Sequence, residues 1–512
     1  MSLTTFELFI TRSDNARKQC LATLAKNYLR VRPLSLDPKD PKWGDFFHVD
    51  VDVRGSIWET AQKLASIPGV IDVDPVEKFL GLFNESTYKE DISYDPDWHR
   101  DLTYFQNGIE ESVRQGRLDL QKGTNIKVAQ LDTGYTDHPE IANIKKGEKI
   151  GYNYVSKGAP VDTLSQGPMY NPGHGTSTAG VFMGRRTNAP YDNVDGLFPY
   201  VHYYPYRVSE SVIHIMSDTV PRAIEHAVAK NSDVIVMSMG GIPKLSWQRA
   251  VEIAFENGTI FVAAAGNHVN MFAGQQSVVW PARYDQVIAV AGVNHQGVPW
   301  EGSCYGSKVE ISAPAENVRV AHVPEKDRYL YTFGSGTSFA VPHVGAAAAL
   351  WLHHYAKELA KNPFQGEPSH KVEAFRYALK RSATPMSPDY QGFGAGILNV
   401  EKLLSITPQM YLNEYAKPSF AARLALERSS TNSPSLEQRE MMSLLLSAKI
   451  TPALDAESQL EAHIAKHGSK KGQKLFEKLQ QTRMSSVLKG LERVTTASDI
   501  RGGYFELVSR GW

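Results

Sequence analysis

Three short segments carry the side chains needed for acyl transfer through a hydroxyl group. Asp132 ends the apolar run KVAQL, His174 lies between glycines in NPGHGTSTAG, and Ser338 lies in GSGTSFAVPHVG. This chemistry needs a base that takes the serine proton, an anion that fixes the tautomer of that base, and donors for the emerging oxyanion. The three segments therefore predict an orienting carboxylate, an imidazole base and a nucleophile.

Each of these residues also has an ordinary structural interpretation. Asp132 fits a turn or a helix cap, His174 fits a loop residue without a role, and Ser338 fits an N-cap, where serine is favoured. Asn267 follows a strand and a glycine in TIFVAAAGN, and it fits a turn as well as a donor beside the Ser338 N–H. The order Asp, His, Ser, with the Asn-bearing strand end before the Ser, favours chemistry over four separate structural roles.

Hydrophobic patterns indicate the elements that must position these residues. From about residue 95, candidate strands alternate with helical patterns, as in a parallel sheet that is buried on both faces. The candidate strands are KVAQLD, YVHYYPYRV, DVIVMSM, TIFVAAA and QVIAVAGV. Helices are expected over 218–231 and 246–258, and one long buried helix over 338–362. Such an α/β architecture places functional groups in loops at the carboxyl ends of its strands.

The flanking regions have different patterns, which predict three domains: 1–92, 93–406 and 407–512. The first region predicts a small α+β unit with strands at 6–11, FFHVDVDV and GVIDVDPV, and helices at 15–29 and 57–66. In the last region, apolar residues recur at helical spacings, which predicts an amphipathic helix that packs on the rest of the chain or on a protein partner. These residues are Leu475, Leu479, Met484, Leu488 and Leu491.

Composition argues against several classes of partner. The 55 Lys plus Arg balance the 55 Asp plus Glu, so nothing indicates binding to nucleic acid or to an anionic membrane. No run approaches the roughly 20 apolar residues that span a bilayer, and the start lacks the layout of a secretory signal. Cys20 and Cys304 lie far apart and give no disulfide framework. A cytoplasmic protein is therefore expected.

The motifs resemble those of the subtilase family of serine proteases. AQLDTGYTDHPEI is similar to the aspartate motif of the family, GHGTSTAGV to its histidine motif and GTSFAVPHVGAAAAL to its serine motif. MSMGG resembles the strand that lines the substrate cleft, and VAAAGN resembles the oxyanion-hole strand. The similarity runs from about residue 95 to about residue 404. It implies a seven-stranded parallel sheet with helices on both faces, and a serine endopeptidase that works through an acyl-enzyme.

The resemblance also implies roles for individual residues. Asp132, His174 and Ser338 correspond to the catalytic triad, and Asn267 corresponds to the oxyanion donor. Phe339 stands where the family usually has Met, which changes packing but not the nucleophile. No cofactor is implied, and no Asp-rich loop resembles a calcium site, so no metal is expected.

By the same resemblance, two segments form the walls of the pocket for the residue before the scissile bond, and the first of them pairs with an extended substrate backbone. The segments are Ser238, Met239 and Gly240, and Ala264, Ala265 and Gly266. Val279, in VVWPARYD, stands at the bottom of the pocket, where Gly is common, so the pocket is expected to be shallow. An insertion or deletion that shifts this alignment is the alternative.

The first region resembles the inhibitory pro-region of the family, a ferredoxin-like domain that plugs the cleft. Its tail, about 77–95, would lie in the cleft like a substrate. Ser338 would then cut it, leaving a mature enzyme that starts near Tyr94. Because ESTYKEDISYDPDW is acidic and polar, an uncut and tethered inhibitor is the alternative.

Two other functions were weighed against an endopeptidase. A catalytically silent subtilase used as a binding module would lack a triad or oxyanion residue, and all four are present. An esterase is possible with the same triad, but no GxSxG motif and nothing like a lipid-binding lid is found.

Overall fold

A computed structural model describes most of the chain up to residue 416. The described residues are 3–28, 30–34, 44–53, 57–76, 86–89, 95–142, 144, 151–166, 170–185, 195–214, 218–241, 243–267, 278–323, 325–326, 328 and 330–416. The amphipathic pattern predicted around 475–491 lies outside them.

The N-terminal region forms a four-stranded antiparallel sheet with two helices. Its elements are β1 (Leu3–Ile10), α1 (Asp14–Asn27), β2 (Arg30–Pro33), β3 (Phe46–Asp52), α2 (Ile57–Ala65) and β4 (Val70–Val76). The strand order β2-β3-β1-β4 is the ferredoxin-like topology that the resemblance implies. Phe6, Leu8 and Ile10 alternate along β1 and lie in one buried apolar cluster with Cys20 and Leu24 of α1.

The opposite face of this sheet carries a row of charged and titratable side chains. Glu7 on β1 is paired with His48 on β3 and with Asp74 on β4, so the three side chains point to the same side. They are only 3–5% exposed. Because such groups are seldom buried without a partner surface, another part of the molecule must cover this face.

After a short strand β5 (Ser86–Lys89), the chain enters the larger α/β region. Its main sheet has seven parallel strands in the order β14-β13-β12-β10-β6-β8-β7, which confirms the predicted sheet. These strands are β6 (Lys127–Asp132), β7 (Tyr152–Asn153), β8 (His202–Arg207), β10 (Val234–Met237), β12 (Ile260–Ala264), β13 (Ile288–Val293) and β14 (Val309–Pro314). The chain order reverses between β6 and β10, and the crevice at such a reversal is where open α/β sheets bind ligands.

Helices cover both faces of this sheet. They are α3 (Trp98–Leu102), α4 (Phe105–Arg114), α5 (His174–Met183), α6 (Thr219–Ala229), α7 (Leu245–Glu256), α8 (Thr337–His354), α9 (Ala356–Leu359), α10 (Ser369–Ser382), α11 (Val400–Leu403) and α12 (Pro408–Tyr415). A single 3₁₀ turn spans Pro139–Ile141. Alternate residues of β10, β12 and β13 enter two different apolar clusters, one containing α8 residues and the other containing α6 and α7 residues. The expected single helix over 338–362 is wrong in its extent, since α8 ends at His354 and α9 is separate.

Two smaller sheets complete the described strands. β9 (Ile213–His214) pairs with β11 (Gly240–Gly241), and β15 (Val318–His322) forms a hairpin with β16 (Leu330–Ser335). β5 adds to β16 in antiparallel register, with Ser86 opposite Ser335 and Lys89 opposite Phe333. The segment that leaves the N-terminal region is thus part of a sheet that ends three residues before Ser338.

The covered face of the N-terminal sheet meets the start of α6 and α7. His48 Nε2 lies 3.5 Å from Oδ2 of Asp218, the residue before α6. The charge of Lys244, the residue before α7, acts on Glu7 and lowers its pKa against the effect of burial. The apolar cluster of the N-terminal region is continuous with that of α6 and α7. The two regions therefore share one buried interface.

Residues after 406 continue to pack against the α/β region. Tyr411 of α12 is fully buried, and its hydroxyl lies 2.7 Å from Nδ1 of His370 on α10. Along the part of the chain that is described, no helix has the length and apolar character needed to cross a membrane.

Candidate active site

Asp132 is the last residue of β6 and is 1% exposed. Its Oδ1 accepts a hydrogen bond from the Thr133 N–H at 2.7 Å, and its Oδ2 accepts one from Thr178 Oγ1 at 3.1 Å. A buried carboxylate needs such donors, because burial without them costs several kcal/mol. The carboxylate is therefore fixed in one orientation.

His174 begins α5, and its Nδ1 lies 2.6 Å from Asp132 Oδ1. With Asp132 as the acceptor, Nδ1 carries the proton, so Nε2 is left with a lone pair. The close approach depends on Gly175, because a Cβ there would clash with the Gly134 carbonyl oxygen. The arrangement can hold an imidazole in the tautomer that a general base requires.

Ser338 is the second residue of α8 and is 4% exposed. Its hydroxyl donates to the Ser238 carbonyl at 3.1 Å, and the Ser238 hydroxyl donates to the Ser338 carbonyl at 2.8 Å. The second bond has a local cause: Pro342 has no N–H, so the Ser338 carbonyl lacks its usual donor in the helix. The ring of Phe339, the next residue, lies 6.3 Å from the His174 ring, which brings the two motifs together.

Asn267 lies just beyond β12, beside the start of α8. Its Oδ1 accepts hydrogen bonds from both the N–H and the hydroxyl of Thr337, each at 2.8 Å. The Thr337 hydroxyl also accepts from the Gly266 N–H at 3.2 Å. Because the carbonyl end of the Asn267 amide is held by Thr337, its NH₂ end is turned away from that residue and can donate elsewhere.

Val279 lies between the two expected pocket walls. A Cβ at Gly240 would clash with Val279 Cγ2, and one at Gly266 would lie 3.0 Å from Val279 Cγ1. Val279 N–H donates to the Ala265 carbonyl at 2.9 Å, which ties it to the second wall. The isopropyl group therefore fills the space between the two glycines.

The other residues expected at the cleft have distinct positions. The Gly240 N–H donates to the Val212 carbonyl at 3.1 Å. Met239 is 2% exposed and lies in the apolar cluster behind the wall, while Ala264 and Ala265 are also buried. The side chains of Met239, Ala264 and Ala265 are thus packed in the interior of the protein.

His343, the histidine of the serine motif, interacts with α8 and α3. Its Nδ1 lies 2.8 Å from the Phe339 carbonyl oxygen, and its Nε2 lies 2.9 Å from Nδ1 of His99 on α3. Both rings are buried, and burial lowers the pKa of His343 to about 3. His343 is thus held in the packing between α3 and α8.

Sequence reasoning missed three residues that brace the site: Thr133, Asp162 and Thr337. Thr133 directly follows Asp132, and Thr337 directly precedes Ser338. Their positions next to predicted site residues were therefore a signal. Asp162 stands twelve positions before His174 in an irregular segment, where no motif marks it.

Comparison with known proteins gives a consistent result. The model of the subtilase family, peptidase S8, matches residues 123–396, which is more than half of the chain. The thermostable alkaline protease of Halalkalibacterium halodurans is 33% identical over 276 residues, 53% of this chain and 66% of that protein. Subtilisin DY of Bacillus licheniformis is 32% identical over 288 residues, 55% of this chain and 91% of that protein. The major intracellular serine protease of Bacillus subtilis is 32% identical over 274 residues, 51% of this chain and 77% of that protein.

Proposed function

We propose that this chain, which belongs to the subtilase family and is a subtilisin-like serine endopeptidase, cleaves peptide bonds with Ser338 as the nucleophile. His174 is the general base and Asp132 is the carboxylate that orients it. The observation that carries this assignment is the buried 2.6 Å contact between His174 Nδ1 and Asp132 Oδ1 beside the start of α8.

The chemistry follows from these positions. Ser338 gives its proton to His174 Nε2 while Oγ bonds to the scissile carbonyl carbon. His174 then gives that proton to the leaving amine, the C–N bond breaks, and an acyl-enzyme remains. A water molecule repeats the sequence, with His174 again as base, and releases the carboxylic acid product. Asp132 stays ionised and stabilises the imidazolium at each step.

The oxyanion formed in both halves faces two proposed donors. One is the Ser338 N–H at the start of α8, where the helix dipole favours negative charge. The other is the Asn267 NH₂ group, whose orientation is fixed because Thr337 holds the carbonyl end. Preorganised donors of this kind cost no reorganisation in the transition state.

The substrate is proposed to add as an extended strand along 238–240, with the residue before the scissile bond between Gly240 and Gly266. Val279 occupies the space that a large side chain needs. Small or medium residues such as Ala, Ser, Val and Leu are therefore the proposed preference over Phe or Tyr.

The N-terminal region, 1–92, is proposed to be an intramolecular inhibitor of residues 93–406, which would make the chain a zymogen. Three observations support this: the shared apolar cluster, the approach of His48 to Asp218 with the effect of Lys244 on Glu7, and the pairing of β5 with β16. A tail that pairs beside the nucleophile would exclude a substrate from that part of the cleft.

The pairing also bears on where the tail would be cut. β5 is antiparallel to β16, with Ser86 opposite Ser335 and Lys89 opposite Phe333, so the Ser86 end of β5 is the end nearer to Ser338 along β16. Ser335 is only three residues from Ser338, a reach of roughly 10 Å. A cut a few residues before Ser86 is therefore favoured over one near Tyr94.

Mass spectrometry of freshly purified protein tests this regulation. Fragments that split a few residues before Ser86 in the wild type, and are absent in Ser338→Ala, support self-processing. Full-length and inactive wild type supports the uncut, tethered inhibitor. A full-length protein that cleaves peptides freely, with no gain on deleting residues 1–92, would refute inhibition. Peptidase activity that persists in Ser338→Ala would refute the assigned nucleophile.

Two further proposals concern location and partners. A cytoplasmic location is supported by Cys20 and Cys304, which are both free and buried, and by the similarity to the intracellular protease of Bacillus subtilis. The amphipathic pattern within 407–512 supports a protein partner for that region.

A further inference from the structure

Asp162 is a buried carboxylate that the proposed chemistry does not use. It lies between β7 and α5 and is 7% exposed. Its Oδ2 accepts hydrogen bonds from Thr133 Oγ1 at 2.7 Å and from the Gly173 N–H at 2.9 Å, and its Oδ1 accepts one from the Leu164 N–H at 2.8 Å. Thr133 directly follows Asp132, and Gly173 directly precedes His174.

Thr133 extends this connection to the other side of His174. Its N–H donates to Asp132 Oδ1 at 2.7 Å, and its hydroxyl accepts from the Gly175 N–H at 3.1 Å while it donates to Asp162. The residues on both sides of the imidazole are thus tied to the carboxyl end of β6 through two side chains.

Burial makes the ionised Asp162 carboxylate energetically unfavourable. Burial raises its pKa, which the three hydrogen bonds and the charge of Arg207 oppose. The buried Arg207 guanidinium itself donates to Thr163 Oγ1 at 3.0 Å and to Glu210 at 2.9 Å. A buried carboxylate at this position needs a nearby cation and three donors to offset its loss of hydration. Its presence indicates that several hydrogen bonds must be accepted at this one place.

We propose that Asp162 is a positioning residue that holds the carboxyl end of β6 and the start of α5 at the separation required by the Asp132–His174 hydrogen bond. The inference rests on the proposed roles of Asp132, His174 and Ser338. Without Asp162, the two segments keep their covalent neighbours but lose the group that joins them. A displacement of about 1 Å in such a constellation lowers turnover by as much as about 10²-fold.

The test compares Asp162→Ala and Asp162→Asn in the full-length chain, in whichever form the wild type turns over a peptide. We expect Asp162→Ala to lower kcat by about 10- to 100-fold with little change in KM, because binding contacts are untouched. Asp162→Asn should lose less, since its side-chain oxygen can still accept from Thr133 and Gly173. A residue that only stabilised the fold would produce no such split between kcat and KM.

A spectroscopic measurement reports on the bond itself. In the Ser338→Ala background, the proton between His174 and Asp132 should give a strongly deshielded ¹H NMR signal, as protons in short charge-assisted hydrogen bonds do. Adding Asp162→Ala should shift this signal upfield or broaden it. An unchanged signal together with unchanged kcat overturns the proposal.

Asp233→Ala is the matched control. Asp233 is a half-buried carboxylate whose pKa is also raised by burial, and its Oδ2 accepts from the Lys127 N–H at 2.9 Å, at the opposite end of β6. It should lower the thermal midpoint and leave kcat intact. If Asp162→Ala lowers kcat no more than Asp233→Ala, the proposal is wrong.

Thr133→Val provides a second test of the positioning role if Asp162→Ala does not fold. It removes the hydroxyl that joins Asp162 to Gly175 and keeps the side-chain volume nearly constant, so kcat should fall. Because Thr133→Val and Asp162→Asn disturb the same connection, the double variant should lose less activation free energy than the sum of the two single variants. Unchanged kcat in Thr133→Val and Asp162→Asn overturns positioning. Activity that survives in His174→Ala or Ser338→Ala overturns the proposed function instead, whatever Asp162→Ala does.

Discussion

The two larger sheets of this protein bury ionisable side chains at different places. In the parallel sheet, Asp132 lies at the carboxyl end of β6, and its partners come from the residue after it and from α5. In the antiparallel sheet, Glu7, His48 and Asp74 lie side by side across the middle of one face. Buried groups at a strand end converge with other loops on one point, whereas buried groups on a face require a second surface to cover them.

Burial changes the ionisation of the groups on the covered face. Burial is the main reason that the pKa of Glu7 is raised to about 7, although Lys244 lowers it. Burial also lowers the pKa of His48 to about 4, although Asp218 raises it. Burial thus favours the neutral form of both residues at this interface.

Removing the proposed nucleophile should have the largest effect on activity. Ser338→Ala should lower kcat by about 10⁶-fold, because nucleophile and base act as one unit. The fold and the N-terminal interface should be unchanged, since only one oxygen is lost. Labelling by a fluorophosphonate probe measures this, and labelling that persists in the variant would show that another residue is the nucleophile.

The oxyanion donor at the neighbouring strand end should have the next largest effect. Asn267→Ala should lower kcat by about 10²–10³, with a smaller change in KM, because its donor acts on charge that develops in the transition state. Steady-state kinetics on a peptide substrate measure the split. If KM rises while kcat is constant, Asn267 binds substrate in the ground state.

The pocket between Gly240 and Gly266 gives an intermediate effect on selectivity. Overpacking costs roughly 1–3 kcal/mol, so Val279 should disfavour Phe or Tyr by about 10- to 100-fold relative to Ala or Val. Val279→Gly should remove this preference, with Val279→Ala in between. A peptide library cleaved mainly after Phe by the wild type would contradict the pocket assignment.

The face of the N-terminal sheet should give the smallest effect and one that depends on pH. The pKa of Glu7 is raised on docking, so its contribution to docking is lost as pH rises through about 7. The pKa of His48 is lowered, so its contribution is lost as pH falls from about 6.5 toward 4. Between pH 7 and pH 5 the two therefore oppose each other in the wild type.

Single variants should reveal the two halves. In Glu7→Gln, inhibition by residues 1–92 added to the separately made remainder should weaken by up to about tenfold between pH 7 and pH 5. In His48→Gln it should strengthen over the same interval. Inhibition constants in the two buffers measure this, and kcat of the remainder serves as the control. Parallel pH dependence in both variants would contradict the assignment.

The same comparison explains what the sequence could predict. The strand KVAQLD coincides with β6, because its mostly apolar run ends at Asp132, where the strand also ends. The triad and Asn267 were predicted because each lies within a short motif. The row Glu7, His48 and Asp74 was not, since cross-strand pairing joins residues far apart in the chain and the alternation there fits an ordinary solvent-facing side.

Other differences have similar physical reasons. β16 (Leu330–Ser335) was not predicted, because its partners β15 and β5 are supplied by tertiary pairing and its glycine fits a turn. The helical pattern of 338–362 continues past His354, but the backbone ends α8 there. Asp162 was missed because a single acid in an irregular loop has no spacing that marks it.

The neutral pair His99 and His343 sets a practical limit on handling this enzyme. Both pKa values are lowered by burial, that of His343 to about 3, so their contribution to stability is full above the unfolded value near 6.5 and is lost as pH falls. Each pH unit below that costs up to about 1.4 kcal/mol for each ring. Buffers above about pH 6.5 should therefore preserve the protease during purification, and mild acid should quench a digestion by loosening the helix that carries Ser338.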